Sequence, residues 1–410
     1  MSSNRPFVAL ALAETFSVSG SRLATIAIPW LVLTTTGSAV LTGVVALVEM
    51  LPSVIARALG GPLLDRLGAR RVAIGGDLLS MLVLALIPLL HAAGALHIWL
   101  LLPIVFVLGA LRGPTDGAKL ALVPEVAERA GAPLERVTGV VGMIERLGST
   151  VGAALAGGLV ALIGPTEAMV ATGIAFVLSA ALVAWGMPRA TPLALADESP
   201  DPGYFRALRD GFAFLRRDPV LIGITLTVAA TNLIDQGYGA VLAPVWSQQH
   251  GGGAALLGLL FAVFSAASIG GAALATVFGP RLPRLAVYTI AFLLTGLPRF
   301  AVLAFALPLP LVFATLAVSG FASGFLNPIL GAVIFERIPK PLLGRVSSLT
   351  TALGFGLTPF GGVLAGLLTE GIGLSLTLLV CGGLYLLAPL LPLASRGFRA
   401  FGKRIGHTPG

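Results

Sequence analysis

Single charges sit inside long apolar runs of this chain: Glu14, Arg22, Glu49, Arg57, Asp77, Arg112, Asp116, Glu145, Arg146, Asp235 and Arg299. A charge in hydrocarbon costs several kcal/mol unless it is paired or hydrated, so such residues mark proton, ion or substrate pathways. Polar neighbours accompany several of them. Ser17 and Ser21 follow Glu14, and Glu14 and Ser21, seven apart, share a helix face. Arg112 and Asp116 are four apart, Asp235 lies among Asn232, Gln236 and Tyr238, and a later run carries Ser319, Ser323 and Asn327. For the serines and asparagines, hydrogen bonds between helices explain the residue type as well as contact with a ligand does.

Catalytic chemistry finds no comparable support. There is no H-E-x-x-H, no G-x-S-x-G and no cluster of His or Cys at ligand spacing. His91, His97, His250 and His407 fall at helix ends or in the tail, and the one cysteine, Cys381, sits in an apolar run. Gly397-x-x-x-x-Gly402-Lys403 approaches a phosphate-binding loop, but Arg404 stands where Ser or Thr is needed and no strand precedes it. The expectation is no enzyme, no metal and no cofactor.

The elements that position these charges follow from composition. Of 410 residues 56% are apolar and 11% charged, against about 25% charged in a soluble domain. Spanning a hydrocarbon core of about 30 Å takes roughly 20 helical residues. Runs of that length are expected at 7–33, 39–60, 72–93, 98–121, 137–163, 168–187, 220–246, 255–278, 285–306, 309–333, 346–368 and 372–393. The fold class is therefore an all-α membrane protein of twelve transmembrane helices. Residues 188–219 break the pattern with Asp197, Glu198, Asp201, Arg206, Arg209, Asp210, Arg216, Arg217 and Asp218, and end in a short amphipathic helix. This divides the chain into a bundle at 1–187, a cytoplasmic linker at 188–219, a second bundle at 220–395 and a basic tail at 396–410.

Lysine and arginine placement sets the orientation. With a cytoplasmic N-terminus the outward loops lie near 34–38, 94–97, 164–167, 247–254, 307–308 and 369–371, and none contains Lys or Arg. The inward segments carry Arg66, Arg70, Arg71, Arg129, Arg136, the linker arginines, Arg281, Arg284, Arg337, Lys340 and Arg345, and the tail adds Arg396, Arg399, Lys403 and Arg404. Both termini are thus expected in the cytoplasm, and a basic isoelectric point near 10.5 reflects the positive-inside rule without any nucleic-acid partner. The expected location is the inner (plasma) membrane of a bacterial cell.

The halves look like repeats. Pro114-x-x-Gly117-Ala118 matches Pro328-x-x-Gly331-Ala332, Leu134-x-Arg136-Val137 matches Leu343-x-Arg345-Val346, and Glu167 and Glu370 follow spans five and eleven. Two six-helix pseudo-repeats place a substrate site between halves near the midplane. The most specific motif joins spans two and three: Gly61-Pro62-Leu63-Leu64-Asp65-Arg66-Leu67-Gly68-Ala69-Arg70-Arg71-Val72.

That motif resembles the signature loop of the major facilitator superfamily, G-x-L-x-D-R-x-G-R-R, departing from it at Ala69. The whole chain resembles the twelve-span drug:proton antiporters of the macrolide-efflux and mycobacterial Tap-like type. Ala27-Ile28-Pro29-Trp30-Leu31-Val32-Leu33, Leu51-Pro52, Asp77-Leu78-Leu79 and Val123-Pro124-Glu125 carry the likeness. The acid that this group often has in the middle of span one is replaced by Gly20-Ser21-Arg22. Its span-five motif G-x-x-x-G-P-x-x-G-G reads Gly148-x-x-x-Gly152-Ala153-x-x-Ala156-Gly157, without the proline; a variant with proline occurs at Thr358-Pro359-Phe360-Gly361-Gly362. The resemblance implies the major facilitator fold, with spans one, four, seven and ten lining the cavity. It implies secondary active, proton-coupled efflux of amphipathic small molecules or drugs by alternating access. Expected partners are that small amphipathic substrate, protons and the lipid bilayer, for a monomer. A facilitator for another cargo, by nutrient uptake or lysolipid flipping, is the alternative; the motif loop disfavours a receptor or scaffold.

Three expectations concern individual charges. Asp65 is expected to cap the N-terminus of span eleven near Ser347 and Ser348, where unpaired N–H groups favour an anion, with Asp77 bracing Arg66 and Arg70. Gly61, Gly68 and Arg71 complete this cytoplasmic gate motif. Neighbouring antiparallel helices put residues of constant position sum at equal depth, which sets Arg22 level with Glu49 and Glu14 level with Arg57; at least one cross-helix pair is expected, Arg22 with Glu49 first, and Arg112 competes for Glu14. A proton carrier must change charge, and an adjacent arginine holds a carboxylate ionised. Asp235 has no Lys or Arg between 218 and 280, so it is the first candidate for coupling, ahead of Glu49 and Glu14. Arg299, after Pro298, is expected to snorkel outward.

Overall fold

The computed structural model describes residues 4–150, 152–187, 204–339, 342–395 and 397–402. Asp197, Glu198, Asp201, Lys340, Arg396, Lys403, Arg404 and His407, named above, lie outside the described residues, as do the side chains of Arg206, Arg209, Asp210, Arg345 and Arg399. Among the described residues the chain is helical, with no strand. Eleven helices are long and apolar enough to cross a membrane. They are Arg5–Thr36, Ala39–Leu59, Ala69–Ala92, Ile98–Ala130, Pro165–Gly186, Pro219–Gln249, Gly253–Phe278, Arg284–Ala304, Leu309–Arg337, Val346–Ile372 and Leu374–Leu393. The remaining expected span, the fifth, is formed by Leu134–Thr150 and Gly152–Ile163.

The two halves share backbone detail at corresponding places. Spans five and eleven begin at Leu134 and Leu343 and end at Ile163 and Ile372. Each is followed by a glycine of nearly identical conformation, Gly164 at φ 89°, ψ 160° and Gly373 at φ 84°, ψ 158°. An L side chain avoids that region, so both turns need glycine. The paired motifs are thus matched by paired geometry.

By packing, the chain forms two compact units: Met1–Ala196 with Ala243–Ala262, and Asp197–Leu242 with Val263–Gly410. In the first unit, Leu10, Val72, Val126, Val137 and Val183 make one buried cluster. Bilayer helices associate through close packing and hydrogen bonds, because lipid tails are as apolar as leucine. Spans two and four show this directly. A Cβ on Gly109 would lie 2.0 Å from the Glu49 carbonyl oxygen, and one on Gly113 would lie 2.3 Å from that of Ser53. Gly109→Ala should therefore push the two helices apart and cost about 1–3 kcal/mol. Thermal unfolding in detergent reads this, and an unchanged melting temperature would show that the close approach is not needed.

In the second unit the amphipathic helix Tyr204–Arg217 buries Leu215 against Leu221, Ile338 and Val346. Asp218 then caps span seven, accepting from the Val220 N–H at 2.8 Å and pairing with Arg337 at 2.7 Å. The start of the basic tail is also part of this unit. Phe398 and Phe401 are fully buried and lie 5.6 and 4.9 Å, ring centre to ring centre, from Tyr288. Their aromatic character, overlooked in a stretch read for its charge, fastens the chain after span twelve to spans seven and nine.

Candidate functional site

Buried charge in the first unit gathers on spans one, three and four. Asp77 is fully buried and accepts from Arg112 Nη1 at 2.7 Å, with Lys119 Nζ 2.8 Å from its other oxygen. Arg112 also reaches Asp116 at 2.5 Å and donates to Ser17 Oγ at 2.7 Å, while its guanidinium stacks on Phe176 at 4.4 Å. Lys119 donates to the same Ser17 Oγ at 2.5 Å. Arg57 pairs with Asp116 at 3.0 Å and extends the network to span two. Glu14, one turn before Ser17, is buried, and its Oε2 has no hydrogen-bond partner among the described residues. The charges acting on it are those of Lys119, Asp116, Glu145 and Arg112. Arg112 and Lys119 thus face the carboxyl groups of Asp77, Asp116 and Glu14, while Arg57, 58% exposed, meets Asp116 from the rim. A proton on Glu14 removes one negative charge from this set without breaking an ion pair among the described residues.

The expected pairs between spans one and two are not formed. Arg57 is drawn to Asp116 because Gly113 brings span four against the backbone of span two at Arg57 itself. Glu49 is half-buried and Arg22 exposed, and neither makes an ion pair among the described residues. The stem of Arg22 lies over Gly152 of span five. Ser21 Oγ is buried without a partner among the described residues. Glu145 and Arg146 are exposed.

The gate motif also differs from expectation. It is a short helix, Gly61–Leu67, closed by Gly68. Asp77 does not brace its arginines, because Arg112 and Lys119 occupy both carboxylate oxygens. Arg70 instead donates to the carbonyls of Met187 at 2.7 Å and Ala184 at 2.8 Å, satisfying acceptors left open by the last turn of span six. Gly61, Asp65, Arg66 and Arg71 are exposed, and Asp65 makes no ion pair among the described residues.

In the second unit Asp235 is not surrounded by neutral groups. It pairs with Arg299 Nη2, and Tyr385 Oη lies 3.5 Å from its other oxygen. Arg299 does not snorkel: it is 5% exposed and its guanidinium stands 5.0 Å from the ring centre of Tyr238, 4.8 Å from those of Phe300 and Tyr385, and 5.7 Å from that of Phe264. A cation over several ring faces is attracted by their quadrupoles. Span seven turns π-helical at Tyr238–Leu242, three residues after Asp235. Three polar candidates make helix-to-helix hydrogen bonds: Asn232 donates to Gly354 O at 3.0 Å, Ser319 to Leu294 O at 2.7 Å, and Ser323 lies 3.1 Å from Ser268. Gln236 is half-buried, Tyr238 buried and Asn327 exposed.

Sequence reading misses Lys119, whose signal is its spacing: it is seven after Arg112 and three after Asp116, on their helix face. It also misses the rings around Arg299, which come from four separate helices. Among the described residues no group of His, Cys, Asp or Glu could hold a metal ion.

Comparison with known proteins agrees with this architecture. The sequence profile described as transmembrane secretion effector matches residues 2–400. The multidrug efflux pump Tap of Mycobacterium tuberculosis (strain ATCC 25618 / H37Rv) is 33% identical over 402 residues, 93% of each chain. Macrolide efflux protein A of Streptococcus pyogenes is 23% identical over 358 residues, 84% of this chain and 86% of its own. In fold, the chain is similar to the nucleoside transporter NupG, with TM-score 0.70 and 17% identity over 95% of this chain and 98% of that one. It is likewise similar to a bacterial homologue of the iron transporter ferroportin, with TM-score 0.72 and 15% identity over 98% and 100%. A profile match over nearly the whole sequence, a relative one-third identical along its length and a shared helical fold lead to one assignment: this chain belongs to the transmembrane secretion effector family of the major facilitator superfamily, and is a membrane transporter, not an enzyme.

Proposed function

We propose that the protein exports amphipathic small molecules by alternating access, driven by protons moving inward, from the inner membrane of a bacterial cell. It would work as a monomer with both termini in the cytoplasm. The names of its relatives, a multidrug efflux pump and a macrolide efflux protein, support the direction and the cargo class. The absence of Lys and Arg from the expected outward loops supports the orientation. The observation that carries the coupling is the charged cluster of the first unit. Glu14 is buried there without an ion pair of its own among the described residues, so it can gain or lose a proton without breaking a pair. Asp235, the first candidate on sequence, is already held by Arg299. The coupling role therefore passes to Glu14, with Glu49 and Asp235 next.

The experiment is efflux of ethidium from proteoliposomes with and without an imposed proton gradient. The gradient should drive ethidium against its own concentration and an uncoupler should stop it. Flux that ignores both would support a facilitator for another cargo. Asp65→Asn, in the exposed gate motif, should express at the wild-type level yet transport poorly, because the lost charge shifts a conformational balance by about 0.3–1 kcal/mol without touching the core. Wild-type transport by that variant would remove Asp65 from the gate.

A further inference from the structure

The Asp235–Arg299 pair is unequal in a way that neither coupling nor packing explains. The Asp235 side chain is 41% exposed, whereas that of Arg299 is 6% exposed. Charged groups at membrane depth face hydrated space or the bundle interior, not lipid tails, so a molecule arriving in that space meets the carboxylate first. Arg299 has a second hold. Tyr238, Phe264, Phe300 and Tyr385 surround its guanidinium, and the helix of span nine is interrupted to bring it there. Span nine stops at Thr295 and restarts at Leu297, and Gly296 between them lets the Tyr385 ring approach: a Cβ there would lie 2.8 Å from Tyr385 Cδ1. Arg299 thus keeps ring faces on several sides whether or not it touches Asp235.

We propose that Asp235 is an exchangeable cation-binding carboxylate, that Arg299 is its resident cation, and that the incoming occupant is a protonated or quaternary amine on an apolar or aromatic body. The occupant takes the exposed face of the carboxylate. Arg299 loses one partner and is retained by the rings, whose faces attract cations and accept a planar guanidinium lying against them. An anion is the poorer fit, since it would have to pass the exposed carboxylate to reach a buried guanidinium. Asn232, one turn before Asp235, is engaged with Gly354 and leaves the carboxylate as the group offered to the amine. This inference rests on the export reading for direction only; binding itself needs no gradient.

The test is equilibrium binding to the purified full-length protein in detergent, with ethidium and tetraphenylphosphonium as cationic probes and chloramphenicol as the neutral one. Asp235→Asn should raise the Kd of both cations about tenfold, or about 1.4 kcal/mol, and leave chloramphenicol nearly unchanged. Arg299→Gln should lower the cation Kd, because the competitor is gone. Phe264→Leu, which removes the half-buried ring, should raise it two- to threefold, or about 0.4–0.65 kcal/mol, because Arg299 then leans harder on Asp235. A pair that only holds helices together gives the opposite pattern, with Asp235→Asn and Arg299→Gln weakening all three probes alike. That pattern, or no cation binding by the wild type, overturns the proposal. Proton coupling can fail in proteoliposomes while these binding shifts appear, so the two readings are separable.

Discussion

Asp77→Asn is expected to be among the most destabilising single substitutions in the chain. The side chain is fully buried, and its two oxygens hold Arg112 at 2.7 Å and Lys119 at 2.8 Å. Taking out the carboxylate leaves two buried cations on span four with Asp116 and Ser17 as their remaining partners. Removing one partner of a buried pair costs about 3–5 kcal/mol, because the surviving charge is uncompensated, whereas removing both is far cheaper. The asparagine variant should therefore melt many degrees lower in detergent and accumulate poorly in membranes. Asp77→Asn combined with Lys119→Met should recover much of the loss, since Arg112 still has Asp116. If the single variant is as stable as wild type, or the double variant is worse than the single, the cluster is not held together by charge balance. The ion-pair geometry also predicts what should not change: Arg70, bound to carbonyls of span six, keeps its place in the gate motif.

The fold is legible in the sequence because membrane helices leave a coarse and redundant signal. Apolar length and arginine placement mark the spans, and paired motifs at Leu134 and Leu343 mark the duplication whose backbone turns at Gly164 and Gly373 agree. Rotation about each helix axis leaves a weaker trace. Equal depth brings Arg57 level with Glu14, yet depth says nothing about which way a side chain points. The decisive information is carried by small residues: Gly109 and Gly113 let span four lie against span two, and so Arg57 reaches Asp116. Gly152 likewise makes room for the stem of Arg22 on span five.

The second unit shows the complementary limit. Along span seven and its sequence neighbours there is no cation near Asp235, but Arg299 arrives from span nine, which linear proximity does not reveal. Its position follows from the break at Gly296, a feature visible as Gly296-Leu297-Pro298 yet ambiguous between a kink and a snorkelling helix end. Lys119 is recoverable from spacing alone, since residues 112, 116 and 119 lie on one face. Ser17, a candidate for ligand contact, instead bridges Arg112 and Lys119, a use that hydroxyls on helix interfaces commonly find.

Glu14→Gln should uncouple transport while leaving the protein folded. Glutamine matches the size of the side chain and still offers an oxygen and an N–H group, but it cannot gain or lose a charge. The cluster of Arg112, Lys119, Asp77 and Asp116 would then lack the negative charge of Glu14 permanently, the state that a proton on Glu14 otherwise creates for part of each cycle. A transporter that must pass through both charge states is confined to one of them. Exchange of labelled for unlabelled ethidium across proteoliposome membranes needs no proton turnover and should continue. Accumulation driven by an imposed proton gradient should fall to the level of protein-free liposomes. Glu49→Gln provides the control: it has no ion partner to unbalance among the described residues, and it should keep gradient-driven accumulation. Should Glu14→Gln still accumulate ethidium against its gradient at the wild-type rate, the proton passes elsewhere, and the same assay on Glu49→Gln and Asp235→Asn identifies where. Loss of exchange together with accumulation would instead mean that Glu14 holds the cluster in shape, and a melting temperature lowered as in Asp77→Asn would accompany it.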